Sequence, residues 1–81
     1  MIKNTFGGLL NVLESHYINY MTDATYWGNR CIEEPDKLLY CEIRNRAAEQ
    51  ANTIYHVLET VLEPEEIQRL RFIAYDKAAE L

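Results

Sequence analysis

Apolar residues recur along this chain at alternating spacings of three and four, and they do so in three blocks separated by proline- or glycine-containing segments. In the first block Phe6, Leu10, Leu13, Tyr17, Tyr20, Ala24, Trp27 and Cys31 keep the spacing without a fault. That periodicity predicts one helix over residues 5–31, with Asn4 or Thr5 as its N-cap and residues 1–4 as a short tail. Gly7 and Gly8 weaken its first turn. Thr22, Asp23 and Thr25 favour turns over helix interiors, so a break near Thr22 is the alternative.

The second block, DKLLYCEIRNRAAEQANTIYHVLETVL, spans residues 36–62 and contains neither glycine nor proline. Tyr40, Ile43, Ala47, Gln50, Ile54, Val57 and Val61 form one seam, and Leu39, Ala51, Leu58 and Leu62 form a second line beside it. A stripe that wide calls for a neighbour on each side, so this helix, predicted over 35–62, is expected to be the central one. Gln50 on the seam belongs at its solvent margin. Glu34-Pro35-Asp36 reads as a helix start, with proline where its missing N–H costs nothing and acids where they suit the dipole.

Glu63-Pro64-Glu65-Glu66 repeats that signal and predicts a third helix over 64–80, with Ile67, Leu70, Ala74, Ala78 and Leu81 facing inward. Glu42 with Arg46 and Glu65 with Arg69 are spaced as i,i+4 ion pairs. Gly28-Asn29 and Glu33-Glu34-Pro35 supply a reversal between the first two helices. The expected fold is all-α: an up-down-up three-helix bundle of one domain, residues 1–81, built on a long antiparallel hairpin with a shorter third helix.

Helix three, at roughly 27 Å for 18 residues, is shorter than the roughly 40 Å arms of the hairpin. It is expected to cover residues 6–17 of the first helix and 47–62 of the second. The hairpin end, with Tyr20, Tyr26, Trp27, Leu38, Leu39 and Tyr40, is then left uncovered by the chain itself. Side chains of these kinds anchor interfaces. The competing expectation packs Trp27 and Tyr20 on Leu39 and Tyr40 inside the hairpin.

Composition narrows the function classes. At 81 residues the core is small enough that a partner is often needed for stability. The 13 acids against 8 bases, net −5, disfavour a phosphate-backbone footprint, and Glu33, Glu34 and Asp36 form an acidic surface near the bend. No apolar run has the length of a membrane span and the N-terminus lacks a secretory pattern, so a cytoplasmic location is expected.

Chemistry is sparse. Cys31 and Cys41, in a hairpin turning near residues 33 and 34, fall more than a turn out of register, and two buried free thiols are expected. His16 and His56 lack the paired spacing of a helical metal site; His56 and Glu59 come nearest. Ser15 and His16 are adjacent and so point apart on a helix. No glycine-rich phosphate loop is present. Neither catalysis, cofactor nor metal is expected.

The function expected is a non-catalytic protein-interaction module that self-associates, for instance as a homodimer, through the aromatic hairpin end. One alternative is an acidic stoichiometric inhibitor of a nucleic-acid-binding protein, of the type phages and mobile elements use against host defence. Another is a small DNA-binding regulator using Arg44 and Arg46, although direct nucleic-acid binding fits the charge poorly.

Overall fold

A computed structural model describes the backbone from Ile2 and the side chains from Gly7 to Leu81. The chain is an all-α three-helix bundle: α1 spans Ile2–Glu33, α2 Leu38–Leu58 and α3 Pro64–Glu80. It is elongated, about 50 × 20 × 19 Å, and α1 alone accounts for the long dimension at 1.5 Å per residue.

The helix with two neighbours is α1, not α2. Both shorter helices pack along it and meet each other only weakly. The predicted seam of α1 is buried or half-buried throughout its described length, from Leu10 to Cys31; Phe6 at its start lies outside the described side chains. Beside the seam a second line, Ile18, Met21 and Thr22, faces the bundle as well.

No break occurs at Thr22. Its hydroxyl donates to the Ile18 carbonyl one turn back at 2.6 Å and approaches the Ala74 carbonyl of α3 at 3.5 Å. Back-bonding of this kind lets a threonine sit in a helix with its polar group satisfied and its methyl against the neighbour.

Four boundaries differ from expectation, both ends of α1 and both ends of α2. The helical backbone already includes Asn4 and Thr5, so neither serves as an N-cap, and α1 continues through Gly28 and Asn29 to Glu33. Pro35 does not open α2. It sits second in a tight turn closed by the Lys37 N–H on the Glu34 carbonyl at 3.0 Å, a position that its fixed φ suits. α2 then starts at Leu38 without a side-chain cap and ends four residues early at Leu58. There the Thr60 hydroxyl takes the Val57 carbonyl at 2.6 Å, and the Val61 and Leu62 N–H groups both fold back onto the Leu58 carbonyl.

Val57, in the last turn of α2, and Val61, beyond its end, are exposed, so the predicted seam stops contributing to the core after Ile54. Ala47 of that seam and Ala51 and Leu58 of the second predicted line are the buried positions, while Gln50 is exposed, as a marginal residue should be. The start of α3 follows the sequence closely. Glu63 caps it, the Glu63 N–H donates to Glu66 Oε1 at 3.2 Å in a reciprocal capping box, and Pro64 fills the first turn. Ile67, Leu70, Ala74 and Ala78 face inward, whereas Leu81 lies past the helix end and is exposed. The Glu42/Arg46 and Glu65/Arg69 spacings do not close into ion pairs among the described residues, consistent with how little exposed pairs gain.

The core is Tyr17, Ala51, Leu58, Ile67 and Leu70, and the largest fully buried side chains among the described residues are Tyr17 and Leu58. At the other extreme, a methyl group added at Gly7 or Gly8 would meet nothing within 4 Å. Leu58→Ala is therefore expected to cost about 2–5 kcal/mol in chemical denaturation. Gly8→Ala, on an open helical surface, should add up to about 1 kcal/mol.

Candidate interaction surface at the hairpin end

The hairpin turn is centred near residue 36, not 33 or 34. Four residues, 34–37, separate the helices, and the shift brings Cys31 opposite Cys41 with their Cα atoms 5.1 Å apart and their sulfurs bonded. The expected free thiols are thus a disulfide that clips the end of α1 to the first turn of α2. A turn centre displaced by two or three residues moves the opposing position by about twice that number, which is enough to convert an out-of-register pair into a bridged one.

Next to the bridge three of the predicted rings come together. Tyr26 meets Trp27 edge-on with centroids 5.0 Å apart, and Trp27 meets Tyr40 of α2 at 5.3 Å. All three are half-buried, packed against their own chain. The Arg30 guanidinium lies over the Tyr40 ring at 5.3 Å and Lys37 Nζ at 5.8 Å, so two cations stand within attractive reach of this one ring. Arg30 also reaches Glu34 at 3.3 Å, and Lys37 reaches the same carboxylate at 3.7 Å. Its Nε is the one buried side-chain polar atom without a hydrogen-bond partner among the described residues.

Tyr20 does not join this group. It sits two turns down α1, stacked with His16 at 6.1 Å and lining a shallow groove with Asp23, Ile43, Arg46 and Gln50. Leu38 and Leu39 are where the prediction put them, 71% and 62% exposed at the start of α2. Ile32, absent from the predicted set, is 76% exposed on the last turn of α1. Its signal was available: it falls off the seam, directly before the turn. Of the predicted acidic residues, Glu33 and Asp36 are exposed, while Glu34 is half-buried by its two cationic neighbours.

α3 reaches further toward this end than expected. Arg71 is level with Tyr17 and Ala74 with Thr22, so the last turn of α3 passes beyond Thr22. The uncovered part of the hairpin accordingly begins near Trp27.

The remaining candidate residues stay apart. His56 Nδ1 and Glu59 Oε1 meet at 3.0 Å on the surface, and no group of three His, Cys, Asp or Glu side chains forms among the described residues. Arg44 packs beside Gly28 and donates to Asn45 at 2.9 Å, while Arg46 is exposed by the Tyr20 groove, so the two arginines do not share a face. No helix among the described residues is long and apolar enough to cross a membrane.

Comparison with protein-family models, curated proteins and solved structures finds no match to this chain.

The disulfide closes a loop of about ten residues, and the chain-entropy model assigns such a closure about 3 kcal/mol. Denaturation in the presence of a reductant, or of the Cys31→Ser/Cys41→Ser variant, is expected to lose stability on that scale with the helical circular dichroism spectrum retained under native conditions.

Proposed function

We propose that this protein is a non-catalytic interaction module whose contact surface is the hairpin end, and that it associates there with a second copy of itself. The observation that carries the reading is the exposure of Ile32, Leu38 and Leu39 around one four-residue turn. Large aliphatic side chains gathered at one end of a rod lower their free energy by leaving water, at roughly 25 cal/mol per Å² buried. The Tyr26, Trp27 and Tyr40 rings behind them act as a rigid backing, and the disulfide holds both helix ends at fixed separation. Pre-organisation of that kind lowers the entropic cost of docking.

Charge supports a second copy as the occupant. Arg30 and Lys37 stand among Glu33, Glu34 and Asp36, so the end carries both signs and nearly balances. A two-fold contact, in which the same patch faces itself, can then set Lys37 against the exposed acids of the other copy. The net charge of −5 opposes close approach elsewhere on the chain and favours association through this balanced end.

The bridge also bears on where the protein works. Disulfides persist in oxidising compartments and are rare in the cytosol. Cys31–Cys41 therefore favours an oxidising setting over the cytoplasmic one expected from the sequence.

Two measurements test these readings. Sedimentation equilibrium should show dimers, and Leu38→Glu with Leu39→Glu should weaken the dimer by at least about tenfold without lowering monomer stability. A wild-type chain that stays monomeric at its highest soluble concentration refutes self-association. Alkylation of unreduced protein from its native source, followed by mass spectrometry, should add no label; two labels per chain would place it in a reducing compartment.

A further inference from the structure

On the side of the bundle away from the Tyr20 groove, α2 and α3 part and leave an opening along α1. Its apolar lining is Met21, Ala24, Ala48 and Ala51, and Tyr17, Asn52, Tyr55, Arg71 and Tyr75 complete it. The space is about 430 Å³, within the range of roughly 300–1,000 Å³ typical of small-molecule clefts. In a chain with 13 acidic residues, no aspartate or glutamate lines it.

The polar groups at this place are donors in excess of acceptors. Tyr17 is 1% exposed, and its hydroxyl accepts the Arg71 Nε–H at 2.9 Å. Having accepted, the phenol still carries its own hydrogen, which finds no acceptor among the described residues. Arg71 lies over the Tyr55 ring, 5.1 Å from its centroid, and among the described residues it also makes a long hydrogen bond to Gln68 at 3.5 Å. No carboxylate pairs with it among the described residues. A guanidinium has five donors and a phenol one, so most of this capacity is unspent. The Tyr17 contact pushes the Arg71 pKa upward, ahead of the opposing effect of burial, and keeps the cation charged.

We infer that this groove binds a small monocarboxylate with an apolar or aromatic body. The carboxylate would take the Tyr17 O–H and the free Arg71 N–H groups, and the body would lie against the apolar lining of Met21 and the alanines, near Tyr55 and Tyr75. One guanidinium and one phenol match a single negative charge with two oxygens, whereas a dianion would bring more charge than the one cation can balance.

Benzoate is the probe, with benzamide as its neutral isostere and inorganic phosphate as the dianion. In a titration followed by amide NMR shifts, benzoate should bind saturably and move Ala48, Asn52, Arg71 and Tyr75. Benzamide should bind roughly 10- to 100-fold more weakly, the scale of a lost charge-assisted hydrogen bond. Phosphate should produce no saturable shift. Arg71→Met should reduce benzoate binding by the same factor, and Ala48→Phe, at an exposed position, should abolish it while the circular dichroism spectrum is unchanged. Equal binding of benzoate and benzamide, binding of phosphate as tight as benzoate, or no benzoate binding would each overturn the proposal. The first two arms use the unmodified protein and so stand even if a variant fails to fold.

Discussion

The arrangement of the bundle depends on one buried phenol. Tyr17 stands in the middle of α1 among Ala51, Leu58, Ile67 and Leu70, where its ring is the largest piece of apolar surface in the core. A hydroxyl carried that deep needs a hydrogen-bond partner or costs about 1–3 kcal/mol. Arg71 supplies it from α3, and in doing so fixes where α3 lies along α1. Once Arg71 is level with Tyr17, Ala74 falls beside Thr22 and Ala78 reaches the last contact. The guanidinium then occupies the seam between α2 and α3, where it stacks on Tyr55 and keeps those helices from closing on each other.

The other end of the molecule is held differently. There the hairpin has no third helix over it, and its order comes from a tight turn, a disulfide and the Trp27 ring in contact with those of Tyr26 and Tyr40. Two large side chains are fully buried among the described residues, a modest core, and chains of this size commonly add a covalent or intermolecular staple. This one has the first, and the aliphatic side chains exposed around the turn are suited to the second. Core, clip and exposed end are thus spaced along a single rod, with the stabilising burial near its middle and the exposed aliphatic side chains at one extremity.

Much of this was legible in the residues. The unbroken three-and-four spacing from Leu10 to Cys31 specified α1, because an apolar seam needs a continuous helix to stay on one face. The Glu63 to Glu66 signal marked the start of α3 to the residue, since capping is a local interaction. The choice of central helix misled for an equally physical reason. α2 has two visible apolar lines, whereas the second line of α1 contains Thr22, whose hydroxyl is silenced by the Ile18 carbonyl and which therefore behaves as an apolar residue. In the candidate surface, Leu38 and Leu39 were recognisable as exposed, while Tyr26, Trp27 and Tyr40 could be recognised as neighbours but not as half-buried ones.

Sequence by itself determined three helices, the inward face of each over most of its length, and the cap between the second and third. These follow from interactions within a few residues of one another, which spacing and residue type encode directly. Tertiary structure alone decided the centre of the hairpin turn, the Cys31–Cys41 bridge, the register of α3 and the opening beside Arg71. Each of those depends on how far one rod slides along another. Helices joined by short turns can slide by a residue or two at little local cost, so only the packed whole, through the burial of Tyr17 and the satisfaction of its hydroxyl, selects one position.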